Sequence, residues 1–229
     1  MNLKIKSIMP FAAPFVLLLA GCASLSSSDS SERLRALGRT NDPAVLARVA
    51  CNDTDSRVRL FAVNKLRDQK YLAKVACEAK DWEVRKAGFN KLEPPQLTEL
   101  AQTAKDPAVV LAARVKLKQD DWSAAFKPAS LDSKGLGNVL GAVALVDSPQ
   151  PSSAAVVAAC HTFIRKGDAS RIPELKDLLM RFGDKPLAED YLNCGQSQLR
   201  DAGEAWANAN GFSVGSGNGS HRVQWGGGR

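Results

Sequence analysis

Residues 55–66 read DSRVRLFAVNKL, and residues 81–92 read DWEVRKAGFNKL. Asp, Val, Arg, Asn, Lys and Leu return in register after twenty-six residues while the positions between them drift. Laid out at that period, the chain gives three rows: DPAVLARVACNDTDSRVRLFAVNKL from Asp42, DQKYLAKVACEAKDWEVRKAGFNKL from Asp68, and EPPQLTELAQTAKDPAVVLAARVKL from Glu93. Each row reads as two short helices. In the second helix Val58, Ala62 and Leu66 recur at i, i+4 and i+8, as do Val84, Gly88 and Leu92, then Val109, Ala113 and Leu117, which puts each set on one helix face. Leu46, Val49 and Ala50 form the apolar face of the first helix, matched by Leu72, Val75 and Ala76 and by Leu97, Leu100 and Ala101.

Asp55, Asp81 and Asp106 stand just before the second helix of each row. There a carboxylate accepts hydrogen bonds from unpaired N–H groups and faces the positive end of the helix dipole. Pro107 suits the first helical position after Asp106. The repeated aspartates therefore read as caps and not as catalysts. One helix pair cannot bury its own apolar face, so the rows must stack and share a core.

The pattern Asp-x-x-Val-Arg-x-x-Ala-x-x-x-Leu at 55–66 resembles HEAT-like α-solenoid repeats, and the short period resembles leucine-rich-repeat-variant and related bacterial arrays. The resemblance covers roughly residues 42–118 and departs in the third row, where Val110 replaces the arginine. In such arrays the arginine pairs with an aspartate of a neighbouring repeat, which is the reading favoured for Arg59 and Arg85 over binding of an acidic partner. Lys65, Lys91 and Lys116 recur once per row and are expected to form an outward ridge for an acidic protein partner, against the default of a solvated lysine face.

Upstream of the rows, MNLKIKSIMPFAAPFVLLLAGCASLSSSDS has the layout of an export signal. Lys4 and Lys6 give it a positive start, and Ile8 to Ala20 an apolar core too short to span comfortably as a mature helix. Leu19-Ala20-Gly21-Cys22 resembles the lipobox of bacterial lipoproteins. That resemblance implies lipid attachment at Cys22, cleavage after residue 21 and an acylated envelope protein; an ordinary secretory signal is the alternative. Ala23, where enteric-type lipoproteins retained at the inner membrane carry Asp, points to a periplasm-facing site on the outer membrane. Residues 22–31 read as a polar tether, and ten extended residues reach roughly 35 Å, enough to hold the folded part clear of the headgroups.

Without Lys4 and Lys6 the chain carries 29 Lys and Arg against 24 Asp and Glu, and the surplus lies in the rows: residues 31–128 hold 19 basic and 13 acidic side chains, residues 129–229 ten of each. Runs of four or more basic residues and interleaved aromatics are missing, so nucleic-acid binding is discarded.

Residues 32–126 are thus expected as the repeat domain, and 127–153, rich in Gly, Pro and Ser, as a linker with a short buried helix around Val139 to Val146. Gly135, Gly137 and Gly141 miss the dinucleotide spacing, and no cofactor is implied. Residues 154–211 read as a second, HEAT-like helical module: Val156, Cys160, Phe163 and Ile164 share a face, as do Leu175, Leu178, Leu179 and Phe182, and then Leu187, Ala188, Tyr191 and Leu192, and Leu199, Ala202 and Trp206. In residues 212–229, Phe212, Val214, Val223 and Trp225 alternate as a β-hairpin would and could close the array. The fold class is all-α, a short HEAT-like α-solenoid followed by a helical module, with a C-terminal hairpin.

Chemistry is sparse. An exported chain meets oxidising conditions, and Cys160 with Cys194 is open as a disulfide, whereas Cys51 and Cys77, at the same row position about 8–10 Å apart, are expected to be apolar fillers. His161 next to Cys160 faces another side of its helix, and His221 lies in the hairpin, so neither a metal site nor a catalytic residue is assigned. The expectation is a non-enzymatic, membrane-anchored scaffold for an envelope protein. A structural or cell-wall-contacting lipoprotein is the alternative.

Overall fold

A computed structural model describes residues 25–126, 131–167, 170–216 and 223–226. The lipobox, Cys22 and Ala23 lie outside the described residues, as do the basic residues Lys4 and Lys6 and the hairpin residue His221. Each row forms the expected helix pair. Helix α1 spans Ser30–Arg39; α2 (Pro43–Asn52) pairs with α3 (Ser56–Lys65), α4 (Gln69–Glu78) with α5 (Trp82–Asn90), and α6 (Pro94–Thr103) with α7 (Pro107–Lys116). Down the array α2 packs on α4 and α4 on α6, while α1 packs on α3 and α3 on α5, giving two layers with a shared core. This is a repeat-like helical array, consistent with an α-solenoid.

The caps are built as the composition requires. Asp55 accepts from the Arg57 N–H at 2.9 Å, Asp81 from the Glu83 N–H at 3.0 Å and Asp106 from the Ala108 N–H at 3.0 Å. Val58, Val84 and Val109 are fully buried. So are Ala62 and Ala113, and at the matching Gly88 an added Cβ would stand 3.2 Å from the Val75 side chain. The α4–α5 crossing is too close for even a methyl group without adjustment.

A further row-like helix begins inside the expected tether of residues 22–31. Asp29 caps α1 by accepting from the Ser31 N–H at 2.8 Å, and it stands twenty-six residues before Asp55. Arg33 donates to the Ser27 carbonyl at 2.8 Å and the Ser28 carbonyl at 3.1 Å, as Arg59 donates to the Asp53 and Thr54 carbonyls one period later. Leu25 packs against the core. From Leu25 onward the serine-rich stretch is therefore part of the body, because a buried arginine draws its carbonyls inward.

After the short helix α8 (Trp122–Ala125), the composition break carries α9 (Ser133–Leu145). Asp132 caps it through the Gly135 N–H at 2.7 Å. The buried helix expected around Val139 to Val146 is present as α9, but it joins the body instead of bridging two domains: it is buried nearly all round and packs on α5, α7, α10 (Ser153–Arg165) and α11 (Ile172–Phe182). Its glycines permit this: a Cβ at Gly137 would lie 3.0 Å from Phe163, and one at Gly141 3.0 Å from Ala108. Helices α12 (Lys185–Asn193) and α13 (Ser197–Ala209) complete the module, with α10 on α12 and α11 on α13.

The hairpin forms where alternation predicted it. Strands β1 (Ser213–Ser216) and β2 (Val223–Gly226) pair antiparallel with Val214 opposite Trp225, and they rest on α13 and α12. Phe212 stacks on Trp206 with ring centroids 6.1 Å apart and meets Trp225 edge-on at 5.7 Å, while the Lys185 ammonium lies 5.1 Å from the centres of both the Phe212 and Trp225 rings.

Candidate functional surface

Two side-chain ladders run along the rows. In the first, Arg59 Nε donates to Asp81 at 3.0 Å and Arg85 Nη2 to Asp106 at 3.1 Å, so each arginine ties its helix to the cap of the next row. The favoured reading of Arg59 and Arg85 as inter-row partners holds. Arg33 holds the matching position in α1 but makes its two-point bond, both contacts at 2.8 Å, to Asp53, two residues before the Asp55 cap.

The second ladder corrects the expected lysine ridge. Lys65 Nζ donates to the Leu37 carbonyl at 2.8 Å and also reaches that of Gly38. Lys91 Nζ donates to Val63 and Asn64, both at 2.8 Å, and to Leu66. Lys116 Nζ donates to Asn90 at 3.0 Å and Phe89 at 3.4 Å. Each ammonium thus sits at the C-terminal end of the equivalent helix one row back, where carbonyls lack intrahelical partners and the dipole favours a cation. Burial lowers the Lys91 and Lys116 pKa values from the ordinary lysine range. The three lysines do recur once per row, yet their charges are spent inside the array and do not form an outward ridge.

At Val110 the arginine ladder stops in sequence but not in space. Arg171, just before α11, donates to Asp106 at 3.3 Å, to Glu174 at 3.1 Å and to the Asn138 side chain at 3.2 Å. The last cap of the rows is in this way shared by Arg85 and Arg171. Burial alone would raise the Asp106 pKa, but the Ala108 N–H and the two guanidiniums outweigh it and leave the carboxyl below its usual range. Lys86 on α5 reaches Asp177 on α11 at 3.0 Å, and Asn90 donates to the Leu145 carbonyl at 3.0 Å. These contacts fold the second module onto the α5 and α7 side of the rows.

That junction leaves a cleft of about 580 Å³ bounded by Ser56, Asp81, Trp82 and Glu83 from the starts of α3 and α5, and by Pro173, Lys176, Asp177, Met180 and Gln198 from α11 and α13. Met180 is 53% exposed and half-buried Trp82 lines the opposite wall. Phe61 on α3 is 40% exposed. The lining sets the apolar Trp82, Pro173 and Met180 among charged and polar groups that include Glu83, Lys176 and Gln198, the mixed surface that a peptide or protein segment meets. None of these residues carried a sequence signal for a site, since the two walls are some ninety residues apart in the chain.

The cysteines correct two expectations. Cys160 and Cys194 are both free thiols. Cys160 is fully buried, where burial pushes its thiol up to about 12, and Cys194 closes α12 with its thiol on the Tyr191 carbonyl at 3.1 Å. Tyr191, whose hydroxyl donates to the Leu175 carbonyl at 2.8 Å, lies against both sulfurs. Cys51 is buried as a filler should be, but Cys77, at the matching position of α4, is exposed. His161 faces away from Cys160 as helical geometry requires, and its Nδ1 lies 2.6 Å from Asp190 on α12, which also forms an ion pair with Arg165 at 3.3 Å. Among the described residues no cluster of His, Cys, Asp and Glu is arranged to hold a metal, and no helix is long and apolar enough to cross a membrane.

In comparisons with known proteins, no family model, no curated protein and no solved structure matches the chain.

Proposed function

We propose that this protein is a lipid-anchored scaffold of the bacterial envelope that holds a protein partner in the cleft between the starts of α3 and α5 and the helices α11 and α13. The observation that carries the reading is the cleft itself, with Trp82 on one wall and a half-exposed Met180 on the other. Repeat arrays commonly use extended surfaces of this kind for binding. The resemblance of the rows to short HEAT-like arrays favours an interaction role over catalysis, and Leu19-Ala20-Gly21-Cys22 supplies the anchor. Ala23 after the modified cysteine favours the outer membrane, facing the periplasm. The partner contacts apolar side chains at the centre and the Glu83, Lys176 and Gln198 rim at the edge.

The test is a photo-crosslinking amino acid at position 180 in intact cells, beside one at Arg200 on α13, away from the cleft lining. A discrete adduct from position 180 that disappears with Trp82→Ala identifies the partner and its site. The absence of an adduct from position 180, or equal adducts from both positions, removes the cleft as the binding surface and turns preference to a structural envelope lipoprotein.

A further inference from the structure

We infer that the outer edge of α1 rests on the bilayer, with Arg35 and Arg39 against anionic lipid headgroups. The inference depends on Cys22 being the acylated residue, and it follows from how little chain separates that residue from the folded body. Leu25 already packs against the core, the Ser27 and Ser28 carbonyls are held by Arg33, and Asp29 caps α1. Only Ala23 and Ser24 intervene between Cys22 and Leu25. Three Cα steps cover at most about 11 Å. The body cannot stand clear of the membrane at that length, and its first row is held within little more than a Debye length, about 8 Å at physiological salt, where surface charge is felt.

The repeat register explains why this edge carries free charge. Arg39 occupies the place that Lys65, Lys91 and Lys116 occupy in later rows. Those lysines reach back to the helix ends of the preceding row. Among the described residues no row precedes α1, so Arg39 has no such carbonyls to bind and is exposed. Arg35 stands at the register position of Phe61, on the outward side of the layer, and is exposed as well. Arg57, one row further, is 74% exposed, pairs with Asp55 at 2.9 Å and touches the Ser30 hydroxyl at 3.4 Å. The opposing charge on α1 is Glu32, which accepts from the Ser27 hydroxyl, while Arg33 is neutralised by Asp53. Phe61, which holds the register position of Arg35 in the following row, adds an exposed apolar side chain, and basic with apolar groups is the combination that interfacial surfaces present to a bilayer.

The experiment uses the full processed lipoprotein in vesicles of phosphatidylcholine alone or with one part in three phosphatidylglycerol. The mass of its N-terminal peptide is read first, then hydrogen exchange of residues 30–39 with residues 197–209 as the internal reference. The expected result is an acylated Cys22 and a slowing of exchange in 30–39 by roughly fivefold or more in the anionic vesicles only. Arg35→Glu with Arg39→Glu should abolish that slowing and leave residues 197–209 unchanged. A ten-residue Gly-Ser insertion between Ser24 and Leu25 should weaken it. Acylated protein whose α1 exchanges equally in both vesicles overturns the contact and leaves the anchor standing. Slowing that survives the double substitution overturns the role of the two arginines, and an unmodified Cys22 overturns the anchored reading and this contact with it.

Discussion

The rows and the second module are both made of short capped helices, yet they are held together in different ways. In the rows, each arginine and each lysine does for its neighbour what the previous one did, so the same few contacts recur every twenty-five or twenty-six residues. In the second module the contacts do not recur: Arg171 reaches Asp106, Lys86 reaches Asp177, and Arg181 donates to the Ala144 and Val146 carbonyls, both at 3.1 Å. Periodic contacts distribute stability along the array, whereas the seam concentrates it in a few side chains. The cleft is a product of the seam, since neither half forms it alone.

That contrast can be broken most sharply at Arg171. Arg171→Ala leaves Asp106 and the buried Glu174 short of a partner, and removing one member of a largely buried ion cluster should cost about 2–4 kcal/mol in chemical denaturation. A cost under about 1 kcal/mol would mean the seam is held by α9 packing and not by charge. The next effect is a pair of glycine substitutions. Gly141→Val would drive side-chain atoms into Ala108 and Arg171, with a Cβ already 3.0 Å and 3.1 Å from them, and should cost about 1–3 kcal/mol. Gly38→Ala, in α1 with open space around it, should instead stabilise by about 0.5–1 kcal/mol. Destabilisation at both positions would erase the distinction between a packed seam and a tolerant array end.

Within the rows, the lysine ladder offers a finer comparison. Lys91→Met strands the Val63, Asn64 and Leu66 carbonyls and should cost about 1–2 kcal/mol, while Arg39→Met at the matching position of the first row should stay within about 0.5 kcal/mol. Equal effects would show that the ladder's carbonyl contacts contribute little. The most gradual effect is acid sensitivity. Because the Asp106 pKa is lower in the folded protein than the roughly 3.9 of an unfolded aspartate, its contribution is complete above that value and is lost as pH falls through the folded pKa. Asp106→Asn should therefore flatten the fall in stability below about pH 4. An unchanged slope would assign acid unfolding to other carboxylates.

Periodicity made the rows legible down to single residues. The caps, the apolar faces and the Arg59 and Arg85 pairings all follow from positions that repeat. Periodicity does not tell an outward charge from a buried one, because sequence shows that Lys65, Lys91 and Lys116 align but not that a carbonyl end waits one row back. The row at Asp29 and Arg33 was legible too, in the same four-residue spacing as Asp55 and Arg59, but a serine-rich composition concealed it. Gly137 and Gly141 read as linker residues, since a glycine that breaks a helix and one that lets two helices touch are the same letter. The Cys160 and Cys194 thiols could be counted but not placed.

By itself the sequence determined the helix pairs, their caps, the order of the rows and the terminal hairpin, because those depend on neighbours within about thirty residues and on one repeated apolar pattern. Only the tertiary structure decided where the ammonium groups go, how α9 is swallowed by its neighbours and which walls make the cleft. Those outcomes join positions far apart in the chain through contacts made once, and a contact made once leaves no period to read.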